Sequence, residues 1–199
     1  MKSFDELLTL ADHLNGPEGC PWDKEQTYES LRPYLLEEAH EVLDAVDQGI
    51  IKNLVEELGD LLYILIFYAK LGEKKQEFDI DEILTKARKK LIRRHPHVFG
   101  EEKAETADEV LHHWNRIKDE EKKGKSILDG IPPGLSIVLK AQKVIKRLER
   151  AHGSLSVEGE GVGPDLLRLI LKAHHEGIDA ETELRQTLRH LMEPFMKLT

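Results

Sequence analysis

Acidic side chains recur at helical spacing in the segment LLEEAHEVLDAV, residues 35–46. At about 100° of rotation per residue, Glu37, Glu38 and Glu41 fall within an arc of about 100° on one side of a helix, and Asp44 lies at its edge. Carboxylates crowded on one face repel each other. Such a face is either fully solvated or shared by a cationic partner.

A second segment, VEELGDLL at residues 55–62, repeats the arrangement. Glu56, Glu57 and Asp60 again fall within about 100° of one another on a helix. Only a short turn separates the two segments, so their helices are expected to pack antiparallel, which can bring the acidic faces together. The two motifs are Glu-Glu-x-x-Glu and Glu-Glu-x-x-Asp.

The apolar neighbours of the second motif argue against two solvated faces. Like charges one turn apart on an exposed helix cost only about 0.2–0.5 kcal/mol, so the first motif alone fits an ordinary surface. Leucines at 54, 58 and 61 flank Glu57 and Asp60, and carboxylates beside a core need a partner or a proton. A divalent cation is the simplest partner, and all-oxygen ligands suit Mg²⁺ or Mn²⁺ rather than Zn²⁺.

Two other kinds of metal site compete with this interpretation. Glu-x-x-His pairs at 37–40 and 109–112 have the spacing of di-iron carboxylate bundles. Against that site, Glu109 fits a capping box opened by Thr106, and His40 projects about 100° away from Glu41; the di-iron site stays the alternative. An EF-hand Ca²⁺ site is excluded, because the acids lie on helices rather than in a loop.

A basic segment, KARKKLIRRHPH at residues 86–97, stands out in this acidic chain. Lys86, Lys90 and Arg94 are spaced one turn apart and share a helix face. Taken alone, they fit a solvated basic surface. Beside a carboxylate-held Mg²⁺ they indicate a phosphate-ester site, because Mg²⁺ commonly bridges protein carboxylates and substrate phosphates while Lys and Arg hold the remaining charge.

The two tryptophans of the chain are candidates for stacking on a nucleobase. Trp22 lies in the Gly/Pro-rich loop before the second helix, and Trp114 lies on the fifth helix, one turn before Lys118. The alternative is that both are packing residues, which is the commoner role of tryptophan.

Composition and charge exclude several classes of protein. The chain has 199 residues and a formal net charge of −9, which disfavours general binding to nucleic acid. The single cysteine, Cys20, allows no intrachain disulfide and suits a reducing compartment. The first residues lack a signal-peptide core, and the longest apolar run, residues 61–69, is too short to span a bilayer. We expect a cytoplasmic protein without membrane or nucleic-acid partners.

Helical spacing recurs along the whole chain, and strand patterns are nearly absent. The predicted fold class is all-α, an antiparallel helical bundle with short connections. The third helix is apolar on all sides after Asp60, and such a helix is buried all round. This favours a homodimer or a higher oligomer over a monomeric bundle with one central helix. The predicted helices cover residues 3–14, 28–48, 51–71, 79–95, 106–122, 134–151, 164–176 and 179–197.

Five segments resemble, in this order, the MazG-like nucleoside triphosphate pyrophosphohydrolases: CPWDKEQT, LLEEAHEVLDA, VEELGDLL, KKLIRRHPHVF and VLHHWNRIK. The likeness covers about residues 3–148. It implies an antiparallel all-α bundle of the MazG, or all-α NTP pyrophosphatase, type assembled as a dimer. It also implies a Mg²⁺-dependent enzyme, with Mn²⁺ as a substitute, that cleaves an NTP or dNTP between the α and β phosphates. The products are a nucleoside monophosphate and pyrophosphate.

The resemblance also implies roles for individual residues. Lys90 and Arg94 match the family's phosphate-contacting Lys-x-x-x-Arg, and Trp114 and Lys118 match its Trp-x-x-x-Lys near the nucleotide. One remaining acid, Glu37 or Glu56, could orient a bound water as a general base. The metal ligands implied are Glu38, Glu41, Glu57 and Asp60.

The second half of the chain departs from the family pattern. Residues 162–191 echo the 58–94 region, but Val162 stands where Glu57 stands in the first copy, and no Glu-Glu-x-x-Glu helix precedes it. We therefore expect no metal site in residues 150–199; chance similarity of two helical hairpins is the alternative. The expected domains are a catalytic domain (1–123), a linker with a connecting helix (124–153) and a degenerate second repeat (154–199).

Two further functions stay open at this point. A chain with one degraded repeat can be a catalytically silent helical scaffold or interaction protein. The basic segment at 86–97 can also bind nucleic acid, although the net charge of −9 argues against it. The intact carboxylates, with Lys90 and Arg94, favour the enzyme.

Overall fold

Every regular element in the described part of the chain is a helix. The computed structural model describes residues 2–121 and 123–196, with only the backbone of residue 196; the predicted helix ends at 122 and 197 lie outside these residues. No helix there has the length and apolar character needed to cross a membrane. The helices are α1 (Lys2–Asn15), α2 (Pro21–Glu25), α3 (Arg32–Gln48), α4 (Ile51–Lys74), α5 (Ile80–Arg94), α6 (Pro96–Phe99), α7 (Ala107–Glu120), α8 (Ile137–His152), α9 (Val162–His175) and α10 (Ala180–Met196).

The all-α prediction is confirmed, but several predicted bounds are wrong. The loop before the second helix contains α2, and α6 adds a turn after α5. The second predicted helix begins at Arg32 rather than at 28. Thr27 and Ser30 cause this difference, because each backbone N–H donates to the other's hydroxyl oxygen (2.9 and 3.1 Å) and holds the segment in a turn.

The chain divides into two compact units, residues 1–119 and 120–199. In the first unit, α3 and α4 pack against each other as an antiparallel pair. Gly49 ends α3 in the left-handed region (φ 68°), a conformation that glycine adopts without steric cost. At the far end of this pair, Leu31, Phe67 and Leu71 form the buried core, edged by Tyr28, Tyr63 and Tyr68.

Within a single chain, helix α4 is buried mainly along its C-terminal half. Ile64, Ile66 and Ala69 are buried, whereas four apolar residues that precede Ile66 on one face of the helix are at least 39% exposed. The expectation that α4 is buried all round is therefore not met by one chain alone. We call the exposed set the α4 stripe: Val55, Leu58, Leu62 and Leu65.

The helices that carry the basic segment and Trp114 are capped by their own side chains. Asp79 caps α5 by accepting a hydrogen bond from the backbone N–H of Glu82 (2.8 Å). One bond of the predicted capping box of α7 is present, since Thr106 Oγ1 accepts from Glu109 N (3.3 Å), whereas Glu109 Oε2 accepts from the backbone N–H of residue 105 rather than from that of Thr106 (2.7 Å). These caps fix where α5 and α7 begin.

The second unit is a three-helix arrangement in which α8 packs against both α9 and α10. Ile145 and Leu171 are buried in it. Arg147 donates to the backbone carbonyls of residues 127, 129 and 130, at 2.7–3.4 Å. Arg168 binds the carbonyls of residues 157 and 159 and the carboxylate of Asp165. The two Gly-rich connections are thus held by arginine side chains.

Candidate active site

Three carboxylates from the α3–α4 pair converge at one place. Glu38 and Glu41 come from α3 and Glu57 from α4, and one oxygen of each lies within 4.8 Å of the others. Glu38 and Glu57 are half-buried, and Glu41 is exposed. The spacing of the two motifs predicted this convergence, because antiparallel packing sets the two acidic faces against each other.

Both burial and repulsion between the carboxylates raise pKa values in this cluster. Burial, and then the neighbouring carboxylates of Glu41 and Asp60, raise the pKa of Glu38. Burial, followed by the charges of Glu41 and Glu56, likewise raises the pKa of Glu57, which also shares a hydrogen bond with Glu41. Such a bond between two carboxyl groups requires a proton on one of them.

One oxygen atom of the cluster bears on whether a metal ion fits this site. Glu38 Oε2 is buried and has no hydrogen-bond partner among the described residues. A buried carboxylate oxygen without a partner is costly, and two more carboxylates point at the same place. An all-oxygen, strongly negative donor set fits a hard divalent cation such as Mg²⁺ or Mn²⁺.

The remaining predicted acids surround this cluster without joining it. Asp60, one turn after Glu57, is exposed and lies outside the three-residue group, but its charge raises the pKa of both Glu38 and Glu57. Glu37 and Glu56 are exposed, and each raises the pKa of the next residue in the chain. They lie at the rim, where water has access.

The structure also pairs two predicted nucleotide contacts. The guanidinium of Arg94 lies 5.1 Å from the centre of the Trp114 ring, and His95 meets the same ring edge-on at 5.2 Å. The first contact has the geometry of a cation–π interaction. Lys90 is exposed one turn earlier on α5, and Lys118 is half-buried one turn after Trp114 on α7.

Trp22 lies beside the core. Its ring meets Tyr34 and Phe67 edge-on, with centroids 5.5 and 6.4 Å apart. Phe67 is seven residues after Asp60 on α4, which is about 10 Å along the helix axis. The ring is 47% exposed, so it packs on one side and is open to solvent on the other.

Sequence reasoning missed a polar cluster between α6 and α7. Glu102 accepts hydrogen bonds from Arg116 on both carboxylate oxygens, and His113 lies 3.4 Å from one of them. The Arg116 bond is the main cause of the lowered pKa of Glu102. A loop residue and a helix residue 14 positions apart share no periodic pattern, so no sequence signal joined them.

Residues 26–99 match the family described as the MazG nucleotide pyrophosphohydrolase domain. That range includes the acidic cluster with Lys90 and Arg94, but neither tryptophan.

Curated relatives and a solved structure extend the match. A nucleoside triphosphate pyrophosphohydrolase of Escherichia coli is 47% identical over 151 residues, which are 74% of this chain and 57% of that protein. A nucleoside triphosphate pyrophosphohydrolase/pyrophosphatase MazG of Thermotoga maritima is 33% identical over 98% of this chain and 85% of that protein. The crystal structure of a mazG-related protein from Thermotoga maritima superposes with a TM-score of 0.50 at 30% identity, over 58% of this chain and 98% of that one.

In this all-helical unit, carboxylates converge from two antiparallel helices and form an acidic site whose donors fit a divalent cation. The chain belongs to the MazG nucleotide pyrophosphohydrolase domain family. It spans somewhat more than half the length of the Escherichia coli relative.

Proposed function

We propose that this protein is a Mg²⁺-dependent nucleoside triphosphate pyrophosphohydrolase. It would hydrolyse NTPs and dNTPs to the nucleoside monophosphate and pyrophosphate, as a house-cleaning activity on the nucleotide pool. The observation that carries the proposal is the convergence of Glu38, Glu41 and Glu57 around a buried, unpartnered carboxylate oxygen. The names of the Escherichia coli and Thermotoga maritima relatives support the same activity.

The acidic cluster supplies the metal-binding part of this proposal. Glu38, Glu41 and Glu57 would hold Mg²⁺ together with Asp60, whose charge already acts on two of them. Mn²⁺ could take the place of Mg²⁺, since it also prefers carboxylate ligands. A bound divalent cation polarises phosphate oxygens and lowers the pKa of a coordinated water.

The side chains around the cluster would supply the general base and stabilise the leaving group. The carboxylate of Glu37 or Glu56, exposed at the rim, would accept the proton of the attacking water. Lys90 and Arg94 would stabilise the negative charge that develops on the leaving pyrophosphate.

Aromatic side chains would position the nucleotide. Trp114, already in contact with Arg94, would stack on the base, with Lys118 one turn away. The open side of Trp22 offers a second aromatic contact. Base stacking on an aromatic ring tolerates every base, which suits a broad substrate range.

The α4 stripe supports a homodimer as the working form. Four exposed apolar residues along one helix face are typical of a helix that packs against a second subunit. With its single cysteine and net charge of −9, the dimer would act in the cytoplasm on a nucleoside triphosphate, without nucleic-acid or membrane partners.

Pyrophosphate release tests the proposal directly. The chain is incubated with Mg²⁺ and a panel of NTPs and dNTPs, and Glu38→Gln and Asp60→Asn are compared with the wild type. We expect release from at least one nucleotide and a loss of at least about 100-fold in kcat/KM for both variants, which corresponds to about 2.7 kcal/mol.

Asp44→Asn is the matched control, since Asp44 lies on the same helix outside the cluster; its activity should stay within twofold of the wild type. Equal pyrophosphate release by the wild type, Glu38→Gln and Asp60→Asn would overturn the proposed enzymatic function. The catalytically silent scaffold would then be the remaining interpretation.

A further inference from the structure

A cavity in the second unit lies between α8 and the turn that joins α9 to α10. Its volume is about 400 Å³, which is within the range of pockets that hold small molecules. His174 and the turn residues 177–179 form one side of the cavity. The other side is a group of four α8 side chains that share an arc of about 100° on the helix: Leu139, Gln142, Lys143 and Lys146.

Two lysines of the α8 wall are open to a ligand. Lys143 and Lys146 are exposed and lie about 60° apart around α8, and both line the cavity. Within residues 2–121 and 123–196, neither of them makes a hydrogen bond or an ion pair with another side chain. By contrast, the exposed Lys172 of α9 lies 3.8 Å from Glu176. Neighbouring ammonium groups without a counter-ion repel each other and attract an anion.

The carboxylate of Asp179, which also lines the cavity, is occupied by other partners. Its Oδ1 accepts from the backbone N–H of Thr182 (2.8 Å), as expected of a helix cap, and its Oδ2 accepts from Gln142 Nε2 (3.2 Å). Gln142 Oε1 in turn accepts from the N–H of Glu181 (3.1 Å). These bonds hold the start of α10 against α8, and neither cavity lysine takes part in them.

A half-buried carboxylate orients the imidazole on the opposite side of the cavity. Glu149 lies 3.2 Å from His174 Nε2 and 2.7 Å from His175 Nε2. The bond with His175 is the main cause of the lowered pKa of Glu149. Because an ionised carboxylate can only accept, it favours a proton on both ring nitrogens that face it. An anion in the cavity would favour the charged form of His174, which has a second N–H to donate.

The charge of the second unit also suits an anionic ligand. Residues 120–199 carry 13 basic and 12 acidic side chains, whereas residues 1–119 carry 16 and 26. The cavity cations therefore act without a strong opposing field from their own unit. A phosphate group carries nearly two negative charges and three acceptor oxygens. It can therefore contact two ammonium groups and an imidazole at the same time.

We propose that this cavity binds the phosphate group of a small phosphorylated molecule, held by Lys143, Lys146 and His174. The apolar side chains of Leu139 and Ile178 also line the cavity and would contact the rest of the ligand. The site uses no residue of the acidic cluster and needs no divalent cation. It would give the second unit a binding function of its own.

Calorimetric titration of the full chain with pyrophosphate tests this site. A chelator removes divalent cations and a Lys90→Gln background weakens phosphate binding in the first unit, so the result does not depend on the proposed hydrolysis. We expect saturable binding, and Lys143→Gln combined with Lys146→Gln should raise the Kd at least about tenfold, or about 1.4 kcal/mol. The control replaces two exposed lysines outside the cavity, Lys125 and Lys172, with glutamine. Its Kd should stay within twofold.

Two results of this titration would overturn the proposal. One is the absence of saturable binding. The other is equal weakening by the two double variants, which would show that net charge alone attracts the anion.

A second titration with AMP distinguishes two sources of the phosphate group. Tighter binding of AMP than of pyrophosphate would assign the cavity to a nucleotide, and the reverse order would assign it to an inorganic polyphosphate. Either order supports the phosphate site if Lys143→Gln with Lys146→Gln weakens the binding. Binding of AMP and pyrophosphate that this double variant leaves unchanged would overturn it.

Acetylation of lysines in the wild-type chain locates the bound anion without any variant that must fold. Peptide mass spectrometry measures the rate at each lysine with and without pyrophosphate, again in chelator. Pyrophosphate should slow the acetylation of Lys143 and Lys146 several-fold and leave Lys125 and Lys172 unchanged. If all four lysines reacted at the same rates with and without pyrophosphate, the cavity would not be the binding site.

Discussion

Arg116 on α7 donates hydrogen bonds from one guanidinium nitrogen to both carboxylate oxygens of Glu102, at 2.6 and 2.5 Å. This pair fastens the segment between α6 and α7 to the helix that carries Trp114. His113, one residue before Trp114, lies near the same carboxylate. The pair therefore contributes to holding Trp114 against Arg94.

Removing this pair should change how stability depends on pH. Because Arg116 lowers the pKa of Glu102, the stabilisation is present above the ordinary carboxyl pKa and is lost as the pH falls through the lower folded value. We expect Arg116→Ala to lower the Tm at neutral pH, with a smaller difference from the wild type in strong acid. Thermal melts followed by circular dichroism over a pH series measure this.

The control for that prediction is Arg88→Ala, which removes an exposed arginine of α5. Its Tm should differ from the wild type by the same amount at every pH. A Tm difference for Arg116→Ala that does not shrink in acid would contradict the role of Glu102.

Arg94→Lys separates the shape of the side chain from its charge. Lysine keeps the positive charge but loses the planar group that lies 5.1 Å from the Trp114 ring and can bind phosphate with two nitrogens. If the proposed function holds, KM for the nucleotide should rise about tenfold, a loss of about 1.4 kcal/mol, with a smaller change in kcat. Arg88→Lys on the same helix should leave both constants unchanged; an equal effect would show that only overall charge matters.

Much of this architecture could be predicted from local periodicity. The acidic cluster was accessible because rotation along a helix fixes which of Glu38, Glu41 and Glu57 share a face, and a short turn fixes how the two helices pair. The short α2 was not predicted, because Pro21 and Trp22 lie in a Gly/Pro-rich stretch that is typical of loops.

Contacts between distant segments could not be predicted from sequence patterns. The roles of Arg94 and Trp114 followed only from resemblance to a family, and the contact between them was not predicted, since it depends on how α5 and α7 meet. No sequence pattern predicted the bond between Glu102 and Arg116. Charged residues are common on protein surfaces, and their spacing in the sequence does not show which of them form pairs. Tertiary packing determines such contacts.

Two glycines of α4 should respond in opposite ways to the same substitution. A Cβ on Gly72 would lie 2.6 Å from Phe78 Cε2 and 2.7 Å from the Phe78 carbonyl oxygen, whereas nothing lies within 4 Å of a Cβ on Gly59. We expect Gly72→Ala to destabilise the protein by about 1–3 kcal/mol through overpacking. Gly59→Ala should stabilise it by about 0.5–1 kcal/mol, because alanine loses less entropy in a helix.

Chemical denaturation measures both changes as shifts in the unfolding midpoint at constant m value. The two variants serve as controls for each other, since they make the same substitution within the same helix. A gain in stability for Gly72→Ala would contradict the close approach of Phe78.

Stability without metal should depend on the charge of Glu38. Because its folded pKa is raised, this group favours folding below the ordinary carboxyl range and opposes it as the pH rises through the raised value. At neutral pH without divalent cations, Glu38→Gln should therefore have a higher Tm than the wild type.

Mg²⁺ should reverse that order. At 100 times its Kd, Mg²⁺ adds about 2.7 kcal/mol to the wild type, and Glu38→Gln should gain much less because the cluster has lost one anionic ligand. Thermal melts with chelator and with Mg²⁺ at pH 7 give both comparisons, and Asp44→Asn should follow the wild type. If Glu38→Gln gained as much from Mg²⁺ as the wild type, the metal would bind elsewhere, and the repulsion at Glu38 would need another explanation.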